Sequence, residues 1–307
     1  MLALPPPNRL LDLLALGETM ALVVPARPEP LEEAEDFRVA IGGAESNVAC
    51  HLAATGHRTA WLSALGEDAL GRRVRGEIAS HGVDVSAVRL DPAAPTGLYV
   101  KDPGHGVTYY RAGSAASRLG PADLERVDLA RARIVHLTGI TLALSASCRD
   151  LVHAAIEATH ATGALVSLDV NYRPALWDTT EEAACEILTA AREADVVLVG
   201  RDEAETLWGT ATADEIRALL PDVPRLVVKD AEIEAVEFTG GARTAVPTPR
   251  VEVIEAVGAG DAFAAGWFDG LLHGVAADER LARGHARAAH ALSSTQDIPT
   301  PTGGPRS

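Results

Sequence analysis

The sequence contains little cysteine, and its few cysteines follow no recognisable pattern. Cys50, Cys148 and Cys185 are odd in number and far apart along 307 residues. This spacing argues against a disulfide framework and against a Cys-x-x-Cys metal site. We therefore expect three reduced thiols that fill the core of a cytoplasmic protein.

Long apolar runs are also missing from the sequence. No window reaches the length needed to cross a membrane, and the N-terminal segment MLALPPPNRL is too short and too rich in proline for the apolar region of a signal peptide. Nevertheless, 47% of the residues are hydrophobic, which is enough for one large core or two modest ones. The composition predicts a folded protein that does not act at membranes.

Basic residues are also few relative to acidic ones. The chain has 27 Lys and Arg against 43 Asp and Glu, a formal net charge of −16, and no basic cluster offsets it. The resulting field disfavours nucleic acids and anionic membranes as partners. A small anionic ligand would need a local pocket of positive charge.

Short apolar runs alternate with helical patterns along the chain. The apolar runs have the length and composition of strands buried on both faces. They cover residues 11–16, 59–65, 134–139, 165–170, 195–199 and 225–229. Helical patterns cover residues 45–54, 69–80, 145–162, 180–194 and 278–292. This alternation predicts an α/β fold with a doubly wound, mostly parallel sheet flanked by helices.

Two stretches break the alternation, because strand patterns follow each other there without a helix between them. They are residues 21–24 paired with 37–41, and residues 97–101 paired with 107–111. They predict a small β lid that grows from loops of the main domain, within about residues 21–41 and 97–111. We expect one domain over residues 11–298, followed by a loose, Pro- and Gly-rich tail at 299–307.

The segment Gly258-Ala259-Gly260-Asp261 places a carboxylate between a glycine hinge and a helix predicted to end near residue 272. Glycine lets backbone amides converge, and the start of a helix carries partial positive charge, so the segment predicts an anion site beside a carboxylate. We expect Asp261 to stay ionised there. It would then suit proton acceptance from an alcohol during phosphoryl transfer. Taken alone, the motif also fits an ordinary turn with Asp as helix cap.

Two further segments place polar groups near the predicted lid. Gly42 and Gly43 precede the helix that contains Asn47, so the backbone there can approach a small polar ligand closely. Tyr109 and Arg111 lie at the end of the second strand pair. Alone, the first segment fits a simple turn and the second an exposed strand end.

A third polar segment, Asp169-Val170-Asn171-Tyr172-Arg173, ends a buried strand. Open α/β sheets bind ligands at the carboxyl ends of their strands, and Arg173 can hold a carboxylate or phosphate through two hydrogen bonds. The alternative is a capped loop without a ligand.

Together these segments resemble the ribokinase-like (PfkB) sugar kinases, and within them the 2-keto-3-deoxygluconate kinases. The resemblance extends from about residue 13 to residue 299. The segments that carry it are, in order, GGAESN, TGLYVKD, YYRAGSAAS, HLTGITLALS, SLDVNYRPALW and AVGAGDAFAAG. GAGD with its helix marks the superfamily, and YYRAGSA and DVNYRPALW are more specific to the ketodeoxygluconate branch.

The resemblance implies transfer of the γ-phosphate of ATP to a hydroxymethyl oxygen of 2-keto-3-deoxygluconate or a close sugar acid, giving a 6-phosphate. It implies that Asp261 is the catalytic base and that Gly258, Ala259 and Gly260 form the anion hole. The implied sugar ligands are Gly42, Gly43, Asn47, Tyr99, Tyr109, Arg111, Arg173 and Asp261. The implied nucleotide ligands are Asn171, Arg173, Lys229, Gly258, Ala259, Gly260 and His285.

The same reaction implies Mg²⁺, which bridges phosphate oxygens and offsets developing charge. No dedicated protein cage for the ion is recognisable in the sequence. Glu203 is the residue retained from a family Asn-x-x-Glu motif and is our candidate for contact through water. An exposed helix acid without a ligand is the alternative.

The sequence departs from the family pattern on the nucleotide side. Glu255-Ala256 stands where Asp-Thr is usual, and the family's Lys-x-Gly-x-x-Gly loop reads KDAEIE at 229–234. This loop loses both glycines and gains three acids, so we expect a triphosphate to meet like charge and a bulkier backbone. His285 stands where an Asn near the adenine is usual, and its helical context predicts a surface position.

Two alternative functions remain open at this point. One is a kinase for a neutral sugar such as ribose or fructose, which Arg111 would decide. The other is a sugar-binding paralogue with impaired ATP use, suggested by Ala231, Glu234 and Glu255. The free edges of the lid further predict a homodimer formed through it.

Overall fold

The computed structural model describes residues 4–27, 29–251 and 258–293. The predicted departure at Glu255-Ala256, the tail at 299–307 and the end of the 11–298 domain lie outside these residues. The strands are β1 (Leu11–Leu16), β2 (Met20–Pro25), β3 (Phe37–Gly42), β4 (Thr59–Leu62), β5 (Ala64–Gly66), β6 (Arg89–Asp91), β7 (Leu98–Asp102), β8 (Gly106–Tyr110), β9 (Ala132–Thr138), β10 (Leu165–Asp169), β11 (Val196–Gly200), β12 (Arg225–Asp230), β13 (Glu234–Thr239) and β14 (Ala242–Pro247). The α-helices are α1 (Ala44–Ala53), α2 (Ala69–Ser80), α3 (Gly139–Leu144), α4 (Ala146–Thr162), α5 (Thr180–Glu193), α6 (Arg201–Trp208), α7 (Ala213–Leu219), α8 (Ala259–His273) and α9 (Ala277–Leu292).

An eight-stranded main sheet runs through the described part of the chain in the order β14-β13-β12-β11-β10-β9-β1-β4. The strands from β12 to β4 are parallel, and β13 and β14 extend the sheet as antiparallel hairpins. Every strand predicted for this sheet is observed, but 59–65 is divided into β4, which belongs to the sheet, and β5, which pairs with β6 in a separate two-stranded sheet. The antiparallel edge and helices α3, α6 and α7 were not predicted.

The core lies in two layers, one on each face of the main sheet. Successive side chains of a strand point to opposite faces. Thus Leu13 packs in the cluster that contains Val48 of α1 and Phe268 of α8, whereas Leu14 packs in the cluster that contains Leu151 of α4. Because helices cover both faces, the strands are apolar throughout. This arrangement confirms the predicted doubly wound α/β fold.

Helix α8 is held between the main sheet and α9. Phe263, Trp267 and Leu271, spaced four residues apart, are at most 4% exposed. On the side facing α9, a Cβ on Gly266 would overlap the Arg283 carbonyl, so only glycine allows this close approach of the two helices. The small residues of α8 therefore fix the position of its N-terminus at the edge of the sheet.

Four strands form a separate small sheet, the lid sheet, in the order β3-β2-β7-β8. β2 and β7 are parallel, and the outer pairs β2–β3 and β7–β8 are antiparallel, as predicted from the two strand pairs. Met20, Leu22 and Tyr99 form its small buried cluster. All residues of β8 are exposed, so the part of the lid sheet that this strand forms is open to solvent.

The cysteines differ in their surroundings. Cys50 and Cys148 are buried as expected, but Cys185 is exposed, so the prediction that all three fill the core was wrong for Cys185. Its position on α5 faces away from the sheet, while Ala183 and Ile187 of the same helix are buried. Among the described residues, none of the helices combines the length and apolar character required to cross a membrane.

Candidate active site

Polar side chains from distant parts of the chain meet at the edge of the main sheet where its parallel strands end. Glu18 follows β1, Asp169 ends β10, and Lys229 lies near the end of β12. Asp261 enters from the start of α8. Parallel strands place their carboxyl ends together, which explains why residues separated by up to 243 positions in sequence gather at this carboxyl edge.

Asp261 is buried in the first turn of α8 and is 9% exposed. The Asn47 side-chain amide donates a 2.9 Å hydrogen bond from Nδ2 to Asp261 Oδ2. Burial raises the pKa of Asp261 to about 7; the charge of Asp169 adds to the increase, and the Asn47 bond opposes it. Our expectation that the helix terminus keeps this carboxylate fully ionised was wrong, because loss of hydration outweighs it. A carboxylate of this pKa can both take up and release a proton near neutral pH.

The backbone before Asp261 forms a tight turn. Gly258 has φ of +82°, a left-handed conformation that favours glycine. The first N–H groups of α8 have no acceptor within the helix, and Lys229 Nζ would lie 3.8 Å from a Cβ on Gly260. Amide donors and an ammonium group thus lie on one side of Asp261, an arrangement suited to an anion.

Lys229 is paired with Asp169 beneath this turn. Its Nζ lies 2.9 Å from Asp169 Oδ2 and 3.2 Å from Oδ1. Burial alone would lower the pKa of Lys229, but the charges of Asp169 and Glu203 raise it. Lys229 therefore carries a fixed positive charge at the carboxyl edge.

Glu203 has both carboxylate oxygens engaged. Oε2 accepts the Gly200 N–H at 2.8 Å, and Oε1 accepts the Tyr172 N–H at 2.9 Å. Its side chain is 17% exposed, so the alternative of an exposed helix acid was wrong. Burial raises its pKa, and Lys229 opposes the increase. Glu203 joins the loop after β10 to the start of α6.

Asn171 and Arg173 occupy the loop after β10, as predicted. Asn171 has φ of +37°, unusual for a residue with a side chain, and its buried Oδ1 has no hydrogen-bond partner among the described residues. Arg173 is half exposed; its Nη1 donates to the Tyr172 carbonyl at 3.0 Å and lies 3.8 Å from Glu203 Oε1. Asn171 Oδ1 could accept a hydrogen bond from a ligand, and the Arg173 guanidinium could donate further ones.

The lid side of the site is packed around Tyr99. Its ring stacks on Tyr109 with centroids 5.7 Å apart. A Cβ on Gly42 would overlap the Tyr99 hydroxyl, and a Cβ on Gly43 would overlap the Glu18 carbonyl. Close packing therefore requires both glycines, whatever contact they make with a sugar.

Arg111 is paired with Glu18, a residue that the sequence analysis missed. Arg111 Nε donates to Glu18 Oε2 at 2.9 Å, Nη2 contacts the same oxygen, and Ser114 Oγ donates to Oε1 at 3.2 Å. The guanidinium also lies 5.0 Å from the centre of the Tyr109 ring. Burial raises the pKa of Glu18, and the Arg111 charge opposes it. The positive charge predicted to bind a sugar acid is thus already balanced by a protein carboxylate.

Glu45 is a second residue of the site that was not predicted from the sequence. It is fully buried, and its Oε1 accepts hydrogen bonds from Thr138 at 2.7 Å and Thr141 at 2.6 Å. Burial raises its pKa to about 7 despite these bonds. Glu18 and Glu45 each follow the end of a strand within a few residues, β1 for Glu18 and β3 for Glu45. This position is the sequence signal that could have identified them.

The nucleotide side of the site differs from two expectations. His285 is buried rather than on the helix surface: its Nε2 lies 3.1 Å from the Val246 carbonyl and its ring packs against Phe263. The predicted surface position of His285 was wrong because this face of α9 packs against α8. Burial lowers the pKa of His285. Its contact with a nucleotide stays a prediction.

The altered loop at 229–234 forms the turn between β12 and β13. Ala231 has φ of +33°, so the loop keeps a left-handed residue where glycine was lost. Asp230 pairs with Arg201 at 2.9 Å, and Glu234 pairs with Arg243 at 3.2 Å. Two of the three added acids are thereby neutralised, which weakens the expected repulsion of a triphosphate.

Comparison with known proteins agrees with this geometry. Residues 11–302 match the family described as pfkB family carbohydrate kinase. The chain belongs to this family. It is 36% identical to the 2-dehydro-3-deoxygluconokinase of Bacillus subtilis, covering 94% of this chain and 91% of that protein. It is also 36% identical to the 2-dehydro-3-deoxygluconokinase of Thermoproteus tenax, over 94% of this chain and 89% of that protein. The crystal structure of a PfkB protein from Polaromonas has a TM-score of 0.86 and 36% identity, covering 94% of this chain and 97% of its own.

Membership makes the chain a carbohydrate kinase that uses ATP. The carboxyl edge of this kinase holds a buried carboxylate at Asp261, amide donors at the start of α8 and the positive charge of Lys229. The lid sheet meets the same edge, since Arg111, which follows β8, is paired with Glu18, which follows β1.

A divalent metal is typical of this family, and the described residues fit one that is held mainly by phosphate and water. Carboxylate oxygens are the protein ligands such ions prefer. Asp169 is occupied by Lys229, and both oxygens of Glu203 accept backbone N–H groups. Neither residue offers an open carboxylate, so contact through water suits this kinase better than direct ligation.

Proposed function

We propose that this kinase phosphorylates the terminal hydroxyl of 2-keto-3-deoxygluconate, also named 2-dehydro-3-deoxygluconate, to give the 6-phosphate. The observation that carries the proposal is the buried Asp261, held by Asn47 and flanked by the amide donors of α8. Two relatives with 36% identity over 94% of the chain bear the name of this activity. Arg173, half exposed and beside the site, supplies positive charge for the carboxylate of a sugar acid.

In the proposed reaction Asp261 accepts the hydroxyl proton as the sugar oxygen attacks the γ-phosphate. The first N–H groups of α8, at Gly258, Ala259 and Gly260, and the Lys229 ammonium hold the transferring group, where negative charge develops. Closure of the lid sheet keeps water out and limits ATP hydrolysis. Asn171, Arg173 and His285 are our proposed further contacts with the nucleotide.

The proposed metal ion is Mg²⁺, held by ATP and water with Glu203 as the protein contact through water. When bound, such an ion neutralises charge on the phosphate oxygens. Replacing Glu203 by Gln should raise the concentration of Mg²⁺ needed for half-maximal rate. An unchanged requirement would remove Glu203 from this role.

Turnover by wild-type protein and Asp261→Asn, measured by ADP release on a panel of sugars and sugar acids, tests the proposal. We expect turnover on the keto-deoxy acid to be lost in the variant while calorimetry still detects sugar binding. Folding of the variant is checked by its thermal unfolding. Retained turnover would contradict the role of Asp261, and a preference of the wild type for another sugar would contradict the substrate.

One observation favours a second substrate class. Because Glu18 balances Arg111, the lid side of the site carries less net positive charge than Arg111 alone would give, which is compatible with a neutral sugar. Arg111→Ala discriminates the two functions: the preference for acids over neutral sugars should fall if Arg111 contacts the acid. An unchanged preference, together with activity on ribose or fructose, would favour the neutral-sugar kinase.

We further propose that two copies associate through their lid sheets in the cytoplasm. Strand β8 has an uncovered edge, with Tyr110 62% and Tyr109 45% exposed, and Phe37 on β3 is 44% exposed. Sedimentation should give a dimer for the wild type and a monomer for Tyr110→Lys. A monomeric wild type would overturn the association. Cys50 and Cys148 are buried without a disulfide bond, an arrangement compatible with a reducing compartment.

A further inference from the structure

Three metal-ligating side chains converge where α8 ends, at the opposite end of that helix from Asp261. They are His57, in the loop between α1 and β4, and Asp269 and His273, one turn apart on α8. One potential ligand atom from each lies within 4.8 Å of the other two. The kinase reaction uses none of them.

Two of the separations between these atoms can be compared with a tetrahedral metal shell: one equals its lower value and the other is slightly shorter. His57 Nε2 lies 3.0 Å from Asp269 Oδ1, and His273 Nδ1 lies 3.3 Å from the same oxygen. Ligands at the usual zinc distances stand about 3.3–3.5 Å apart in a tetrahedron. The imidazole rings are 5.2 Å apart and inclined by 67°, so they do not stack and can direct nitrogens to one point.

The groups around the cluster hold the three side chains in place. Asp12 Oδ2 lies 3.8 Å from His57 Nδ1, the nitrogen that faces away from Asp269. A carboxylate behind a histidine is the usual support of a metal ligand. Arg283 donates to Asp269 Oδ2 at 2.7 Å, which leaves Oδ1 directed at the histidines.

Other contacts oppose a metal and must be overcome. The 3.0 Å contact between His57 Nε2 and Asp269 Oδ1 is itself a hydrogen bond, and His273 Nδ1 lies 2.8 Å from the Asp269 carbonyl. A carbonyl oxygen only accepts, so Nδ1 donates in this contact, and His273 can bind a metal only after giving up this bond or through Nε2. Arg283 also brings positive charge near the cluster, although Glu279 balances it at 2.7 Å.

We propose that His57, Asp269 and His273 bind a divalent transition-metal ion of the zinc class, with water as the fourth ligand. Imidazole nitrogens favour such ions over Mg²⁺, so the cation used with ATP does not compete. His57 and Asp269 are 11% and 14% exposed, whereas His273 is 53% exposed and gives access from solvent. The ion would join the end of α8 to the loop before β4 and would stabilise the fold.

The test is metal binding by untagged, nucleotide-free protein from which metals have been removed by a chelator. Titration with Co²⁺ should give one equivalent per chain with the absorption of a four-coordinate ion, and Zn²⁺ should displace it. His273→Ala should bind at least about tenfold more weakly. The matched control is His290→Ala, an exposed histidine on α9 that lies outside the cluster and should bind as the wild type does.

Thermal unfolding supplies a second readout that does not depend on the cobalt spectrum. Zn²⁺ should raise the melting temperature of the wild type and of His290→Ala, because it binds the folded state, and should not raise that of His273→Ala. Absence of saturable binding in the wild type would overturn the site. Wild-type affinity in His273→Ala would overturn it as well. Neither result bears on the kinase reaction, since the assay contains no sugar or ATP.

Discussion

Removal of the Asn47 amide should move the pH dependence of the reaction. The bond from Asn47 Nδ2 is the largest influence that lowers the pKa of Asp261, which burial raises to about 7. A base must be deprotonated to act, so kcat/KM of the wild type should fall below pH 7, to roughly a tenth of its plateau at pH 6. In Asn47→Ala the ionised form loses its donor, so the pKa of Asp261 rises further.

The size of this change follows from the energy of the bond. A hydrogen bond to a charged group contributes about 1.5–3 kcal/mol, which corresponds to an increase of roughly one to two in pKa. The acidic limb of kcat/KM for the sugar, measured by ADP release at saturating ATP and Mg²⁺, should move to higher pH by this amount. Asn47 is also a proposed sugar ligand, but lost affinity lowers the whole profile without moving its limb.

The matched control is Thr55→Ala. Thr55 lies just after α1, and its hydroxyl donates to the Leu52 carbonyl away from the site, so its profile should match the wild type. Coincident limbs in Asn47→Ala and wild type would refute the reasoning, because the titrating group would then not be Asp261. A limb that is absent in both would show that no group of this pKa controls the reaction.

Three other changes test the packing that supports the site. Ala231→Gly should stabilise the protein by about 1 kcal/mol in urea unfolding, because the residue has φ of +33°; a loss of stability would show that the left-handed turn is not formed. Glu45→Gln should flatten the pH dependence of the free energy of unfolding. Because the pKa of Glu45 is raised to about 7 in the folded protein, its contribution to stability is complete below about pH 4.5 and falls by on the order of 1 kcal/mol per pH unit between pH 4.5 and 7. Equal slopes of unfolding free energy against pH in variant and wild type would contradict the burial of Glu45. Gly266→Ala should cost about 1–3 kcal/mol by thermal unfolding, since its Cβ would overlap the Arg283 carbonyl; an unchanged midpoint would mean that α8 and α9 are less tightly packed.

The central strands were predictable because burial on both faces leaves an apolar run with no competing pattern. The antiparallel edge was not. β13 and β14 carry polar residues such as Glu237, which is fully buried but paired with Arg280 and Trp267, and a buried ion pair looks polar in sequence. Helix α3 was missed for the opposite reason: Gly139–Leu144 is a short apolar segment that directly continues β9.

The residues of the candidate site, like the elements of the fold, were only partly predictable from the sequence. Asp169 and Asp261 were identifiable from their places at the end of β10 and the start of α8, and Lys229 from its resemblance to the family's loop beside ATP. Glu18 and Glu45 were not, since what defines them is a partner 93 residues away, Arg111 for the first and Thr138 for the second. Local patterns place a residue at the edge of a sheet, but only the fold decides which charge is already balanced.

Helix α8 links the proposed catalytic and metal sites and yields a last prediction. Asp261 and His273 are twelve residues apart, so their backbones are separated by about 18 Å along the helix. Across that distance a divalent ion and a carboxylate interact by about 0.5 kcal/mol in water, and salt reduces this further. Protein loaded with Zn²⁺ should therefore keep the acidic limb of kcat/KM within a few tenths of a pH unit of the metal-free protein. A larger displacement, measured with Mg²⁺ in excess, would mean that zinc occupies the carboxyl edge beside Asp261 rather than the histidine cluster.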